Sequence, residues 1–148
     1  AKPIAGGLPM GAVVVTDAIA ETLQPGDHGT TFGGGPFVAS VARAVLCALS
    51  EPALLEGVRR REAHFRAALA PVVERHARVQ KVRGRGLMLG LVLNEPCAAE
   101  VVAQARAEEL LLVAAGTDVI RLLPPLNVEE ELLDEAARRL DAALGALS

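Results

Sequence analysis

The sequence predicts an α+β chain in which helices cover one face of a small, largely antiparallel sheet. From about residue 51 the hydrophobic pattern reads helix, strands, helix, hairpin, helix, and each strand-like run is short and bounded by Gly or Pro. Trp and Tyr are absent and only three Phe occur, so the core must be built from aliphatic side chains. Residues 1–50 read differently, as a Gly/Pro-rich turn, an apolar run and a glycine loop opening a helix, and they form a separate section from residues 51–148.

Lys2 precedes the turn Pro3-Ile4-Ala5-Gly6-Gly7-Leu8-Pro9-Met10-Gly11, and the β-branched run 12–15 then reads as a buried strand. Pro3 biases Lys2 toward an extended backbone, and the glycines allow close approach, a setting suited to a buried, reactive amine; the alternative is an ordinary solvated lysine. Thr16 can cap a short helix to about residue 23, with Asp17 in its first turn, and Gln24-Pro25-Gly26 stops it. Asp27-His28-Gly29-Thr30-Thr31-Phe32-Gly33-Gly34-Gly35-Pro36 is a polar glycine loop with Pro36 placed for the first helical turn. Its hydroxyls, backbone N–H groups and helix N-terminus are suited to holding a phosphate or another anion. Val38, Val41, Ala42, Val45 and Leu49 mark one face of the helix that follows.

A longer helix spans about 52–74 with Leu55, Val58, Phe65, Leu69 and Val72 on one face; Pro71 should kink it or end it early. Arg59-Arg60-Arg61, flanked by glutamates, reads as a solvated face. Residues 79–86 alternate basic and apolar residues and 87–93 are apolar, an antiparallel pair turning at Gly84. A helix follows Pro96 to about residue 109. Strands at 110–114 and 119–123 make a hairpin around Gly116-Thr117-Asp118. A capping-box-like pair, Asn127 and Glu130, opens a last helix carrying Leu133, Ala137, Leu140, Leu144 and Leu147.

The chain has 148 residues, a formal charge of −3 and interleaved acids and bases. This gives no reason to expect nucleic acid or an anionic membrane as partner, and no run approaches the length of a membrane span. No secretory leader is visible, so a cytoplasmic location is expected. Cys47 and Cys97 read as buried thiols, and His28, His64 and His76 have no metal-ligand spacing. Arg121 is conspicuous: Ile120, Leu122 and Leu123 beside it are apolar, so its guanidinium needs an anion, either a ligand or an internal ion-pair partner.

A lysine before a glycine-rich turn, a Gly-Thr-Thr-Phe-Gly-Gly loop opening a helix, and Val-Ile-Arg-Leu-Leu-Pro-Pro-Leu stand here in one order. Together with Asp27-His28-Gly29 and Val82-Arg83-Gly84-Arg85-Gly86-Leu87-Met88-Leu89-Gly90, they resemble the C-terminal part of class III pyridoxal-phosphate aminotransferases, and most closely the acetylornithine branch. The resemblance covers the whole chain. It implies the fold type I architecture of pyridoxal-phosphate-dependent transferases in part: residues 1–50 as the tail of the large α/β cofactor domain, and 51–148 as the small α+β C-terminal domain.

The resemblance also implies roles. Lys2 is the catalytic lysine that binds pyridoxal 5′-phosphate through its amine and moves the proton; such an amine must be partly neutral, which desolvation or cationic neighbours favour. Thr30 and Thr31 are cofactor-binding, with Thr31 reaching across a homodimer to the phosphate of the other subunit. Arg121 grips the substrate carboxylate with a planar fork. The implied activity is transfer of the distal amine of N-acetylornithine to 2-oxoglutarate in arginine biosynthesis. The alternatives are a related enzyme acting on ornithine, succinylornithine, 4-aminobutyrate or a lysine-pathway compound, or, for the chain alone, a non-catalytic folding or dimerisation module. The family usually has Asn where this chain has Gly35, which leaves that helix start with backbone groups alone. The aspartate for the pyridine nitrogen, the ring-stacking aromatic and a further phosphate loop are expected upstream of Ala1.

Overall fold

The computed structural model describes residues 2–31 and 33–147; Phe32 of the glycine-loop motif lies outside them. Two compact units divide the chain, Ala1–Glu51 and Pro52–Ser148.

The first unit contains α1 (Asp17–Ala20) and α2 (Pro36–Leu49). Residues 2–9 form successive turns, closed by Gly6 N–H to Pro3 O at 2.9 Å and Leu8 N–H to Ala5 O at 3.0 Å. Ala5 is fully buried, and a side chain at Gly6 would meet Val45 and Val41. The lysine-bearing turn is therefore seated on α2. Val38, Val41, Val45 and Leu49 are half-buried around the buried Ala42, the face their spacing predicts.

Residues 12–15 form no strand; Val14 is 97% exposed. A strand buried on both faces needs paired neighbours and covering layers, and the described residues of this unit supply neither. Helix α1 is shorter than expected. Thr16 has the extended backbone of a cap but no side-chain cap bond, and Gln24-Pro25-Gly26-Asp27 closes as a reverse turn with Gly26 at φ 103°. Cys47 is exposed on the outer face of α2, contrary to its expected burial, whereas Cys97 is buried as expected. Half a helix turn separates Cys47 from the face that carries Val45 and Leu49, so nothing covers it.

The second unit runs α3 (Pro52–Arg75), β1 (Val79–Arg85), β2 (Met88–Leu93), α4 (Ala98–Ala107), β3 (Val113–Ala114), β4 (Val119–Leu122) and α5 (Glu130–Gly145). The sheet order is β1-β2-β4-β3, with every pair antiparallel. Leu89, Leu91 and Leu93 of β2 alternate into the core, with Ile120 and Leu122 beside them on β4. Phe65, Leu69 and Val72 of α3, Val101 of α4, and Leu133, Leu140 and Leu144 of α5 close over that same face. This aliphatic layer is the core the composition demanded, and it forces Arg83, Gly90 and Arg121 onto the opposite face, because strand side chains alternate.

Four local expectations differ. Helix α3 continues past Pro71 to Arg75, so the early end that Pro71 could have forced does not occur. Pro71 and Ala67, whose carbonyl loses its helical donor, are both exposed, so that carbonyl is open to water. The β1–β2 turn falls at Gly86-Leu87, where Arg85 pairs with Met88, rather than at Gly84. Glu62 of α3 accepts the Gly86 N–H at 2.8 Å, and Arg66 donates to Gly84 O, which anchors the tip at that register. Asn127 sits in a turn closed by Val128 N–H to Pro125 O, so Glu129 rather than Asn127 holds the N-cap position of α5. Arg60 pairs with Glu130 and Arg61 donates to Val128 O, so the arginine run ties α3 to the start of α5 instead of being merely solvated.

Candidate active site

In the first unit Lys2 is exposed, as in the solvated alternative, and not a buried amine. The turn is stiff on its inner side, through Ala5 and Gly6 against α2, but the described residues of this unit put no cover over the amine. The glycine loop is built around Thr30, whose Oγ1 accepts the Gly33 N–H at 3.1 Å. A side chain at Gly33 would collide with Thr30, and Gly34 has φ 71°, so the loop requires glycine at both positions. Gly35 then takes the N-cap position, its carbonyl accepting the Ala39 N–H at 2.9 Å, with Pro36 in the first turn of α2.

Thr30 and Thr31 are exposed at this helix entrance, and neither is committed to more than the single local bond of Thr30. A cleft of about 380 Å³ runs between Thr30 and Gly33 on one side and Pro9, Met10 and Gly11 on the other. The loop and the end of the lysine turn therefore face a common space. Thr31 does not line that cleft. Exposed hydroxyls, free backbone N–H groups and a helix N-terminus are the donor set a phosphate ester needs, and Lys2 is the amine a pyridoxal aldehyde needs. The residues present fit that cofactor as a partial cradle.

In the second unit Arg121 lies on an interior strand, flanked by β2 and β3. It pairs with Gly90 on one side and Val113 on the other. Its neighbours Ile120 and Leu122 are 0% and 3% exposed in the core, while Arg121 itself projects from the open face. Among the described residues no carboxylate pairs with it. The internal-salt-bridge alternative is therefore not realised here, and the guanidinium remains available to an external anion. Arg83, which pairs with Gly90 from the other edge, had been read only as part of a strand. The alternation Lys81, Arg83, Arg85 was the sequence signal that it shares the Arg121 face.

The chain belongs to the class III aminotransferase family, which matches it over residues 1–144.

Among relatives, it is 40% identical over 150 residues to acetylornithine aminotransferase of Vibrio vulnificus and 45% identical over 148 residues to that of Gloeobacter violaceus. Each comparison covers 99% of this chain and 37% of the relative, so the chain spans little more than a third of the length of these proteins. Among solved structures, acetylornithine aminotransferase of Elizabethkingia anophelis superposes with a TM-score of 0.82 at 27% identity, covering 98% of this chain and 39% of that one. N-acetylornithine aminotransferase of Stenotrophomonas maltophilia gives 0.71 at 37% identity, covering 78% and 32%. The fold is thus that of part of a class III aminotransferase, and here it is an α+β unit with a small antiparallel sheet.

Proposed function

We propose that the protein containing this chain is a pyridoxal-phosphate-dependent aminotransferase that moves the distal amine of N-acetylornithine to 2-oxoglutarate, in arginine biosynthesis. The observation that carries the reading is Arg121: an exposed guanidinium on an interior strand, without a carboxylate partner among the described residues, in a chain of this family. The acetylornithine aminotransferases among its relatives support the choice of amine donor.

Pyridoxal phosphate, when bound, supplies the electron sink that makes a C–H bond beside the substrate nitrogen acidic. Lys2 would hold that group through Nζ, and the same nitrogen would move the proton of the amine-bearing carbon. Thr30 and Thr31 hold the phosphate with their hydroxyls and the N–H groups of the loop, Thr31 doing so for the other subunit of a homodimer. Arg121 holds a carboxylate bidentately, which fixes the orientation of the bond to be broken. Residues 1–50 belong to the large cofactor domain and 51–148 to the small domain.

A cytoplasmic location accords with such metabolism, and among the described residues no single helix is long and apolar enough to cross a membrane. A second reading, ornithine as the amine donor, is favoured by the ornithine aminotransferase of Toxoplasma gondii, which superposes with a TM-score of 0.75 at 28% identity and covers 87% of this chain and 31% of that one.

Incubation of the full-length protein with pyridoxal phosphate, borohydride reduction and peptide mapping test the assignment. Modification at Lys2, lost in Lys2→Ala, together with turnover of N-acetylornithine and 2-oxoglutarate, is the expected result. Modification elsewhere refutes the role of Lys2, and turnover of ornithine alone selects the second reading.

A further inference from the structure

The tip of the β1–β2 hairpin is soft by sequence and braced by structure. Gly84 and Gly86 have φ 119° and 57°, two left-handed joints within one short turn. Glycine takes such angles freely and leaves them as freely, so the chain there needs an outside hold to keep one shape. Helix α3 supplies it through a closed ring of bonds. Glu62 Oε2 accepts the Gly86 N–H at 2.8 Å, Glu62 Oε1 accepts from Arg66 Nε at 3.0 Å, and Arg66 Nη2 donates to Gly84 O at 2.8 Å. Every bond of the ring has an ionised partner, the stronger kind of hydrogen bond. Phe65 and Leu69 of the same helix are 3% and 0% exposed, so the ring stands on an element rooted in the core.

The same tip borders the cleft in front of Arg121. Leu87 of the turn is buried, whereas Met88, next in the chain, is exposed. Met88 is two residues from Gly90, the strand partner of Arg121, so Met88, Gly90 and Arg121 share the open face of the sheet. A cleft of about 260 Å³ lies there, bounded by Gly84 on β1, Met88 on β2 and Arg121 on β4 among others. An added Cβ at Gly84 would collide with the Met88 carbonyl, so the two strands touch at this point and a shift of Gly84 is passed to Met88. Neither Glu62 nor Arg66 lines the cleft; they reach it only through the tip.

We propose that Glu62 and Arg66 are positioning residues for the site at Arg121: from behind the sheet they hold Gly84 and Met88 where the chain of a carboxylate gripped by Arg121 lies against the tip. This rests on the reading of Arg121 as a carboxylate-binding residue. The ring acts on the binding of the substrate and not on the proton transfer at Lys2. Its loss therefore raises KM and leaves kcat in place.

The test compares Glu62→Ala and Glu62→Gln in the full-length protein, with Arg138→Gln as a control that removes an exposed ion pair to Glu135 on α5. Hydrogen exchange of amides 84–89 should quicken about tenfold or more in Glu62→Ala, the scale of one lost charge-assisted bond, while exchange of 119–122 stays unchanged. Affinity is read without turnover: butyrate should protect Arg121 from modification by phenylglyoxal, mapped by peptide, and the half-protecting concentration should rise about tenfold in Glu62→Ala. KM for N-acetylornithine should rise by the same factor, with kcat within about twofold. Glu62→Gln keeps an oxygen for the Gly86 N–H without the charge and should lie between; Arg66→Gln opens the ring from its other side and serves if Glu62→Ala does not fold. Arg138→Gln should change none of these. Faster exchange at the tip with unchanged protection and KM makes the ring merely structural and overturns the proposal, as does a fall in kcat alone. Butyrate that fails to protect Arg121 in the unaltered protein removes the carboxylate reading and the proposal with it. A tenfold shift in protection in a protein that turns over neither N-acetylornithine nor ornithine overturns the proposed function and upholds this inference.

Discussion

Ile120 and Arg121 are adjacent on β4 and point to opposite faces, so substituting them should separate stability from binding. Ile120 is fully buried opposite Leu91, itself fully buried, with Leu89 and Leu69 also closed to solvent. Truncation to Ala leaves a void that this packed layer cannot collapse to fill, and about 3–5 kcal/mol should be lost, the upper part of the range for such changes. Ile120→Val removes one methylene and should cost about 1 kcal/mol. Arg121 is exposed and makes no ion pair among the described residues, so Arg121→Gln should alter stability by no more than about 0.5 kcal/mol. A domain of this size has about 5–15 kcal/mol in total, so the Ala variant sits near the edge of folding. Urea unfolding of the 148-residue chain, followed by circular dichroism, measures the stabilities. An Arg121→Gln loss above about 1.5 kcal/mol would show that the arginine is structural, which a surface substitution does not explain. An Ile120→Ala loss below about 1 kcal/mol would contradict the packed sheet–helix core.

Glu135 sits beneath Arg138 and Arg139 on α5, and their hydrogen bonds pull its carboxyl from the ordinary value of 4.5 down to about 2. A depressed acid contributes stability above its unfolded pKa and loses it as pH falls through the folded one, so acid unfolding should steepen between about pH 4.5 and 2 and flatten in Glu135→Gln. Gly33→Ala should force Thr30 out of its bond to the Gly33 N–H and weaken phosphate binding at the loop, read as reduced protection of the 29–35 amides by inorganic phosphate in hydrogen exchange. Gly84→Ala should destabilise the β1–β2 hairpin by at least about 1 kcal/mol, because Gly84 has φ 119° and an added Cβ would run into the Met88 carbonyl. Equal urea midpoints for that variant and the parent would refute it. Isolated from any partner, the exposed apolar run 12–15 should drive concentration-dependent self-association, and an ordered monomer with protected amides there would count against its reading as an uncovered strand.

The second unit was nearly all legible from its residues. Period-2 and period-3.6 apolar patterns in 79–93, 119–123 and the three helices are consequences of burial on one face, and the structure buries those faces. Boundaries moved where a tertiary bond outbid a local preference. Glu62, 24 residues before Gly86 in sequence, accepts its N–H and so places the turn, and no local pattern announces that contact. Pro71 read as a breaker because its cost depends on whether the orphaned carbonyl meets water, which only the exposed face of α3 decides.

For the candidate site, the settings of Lys2 and Arg121 and the polar glycine loop around Thr30 and Thr31 were visible in the sequence, but their roles came only from the resemblance to class III aminotransferases. The glycine richness of the 29–35 loop was legible too, and the structure requires glycine there at Gly33 and Gly34. What the sequence could not tell was context. The run 12–15 has strand composition, but strand formation is a pairing between segments, and its partners are not among the described residues. Likewise Arg83 and Arg121, thirty-eight residues apart in sequence, become neighbours only through the register that sets both opposite Gly90. Composition and periodicity are properties of one segment and survive without the rest of the chain. Register, exposure and charge juxtaposition are properties of two or more segments, and exist only once the tertiary structure has brought them together.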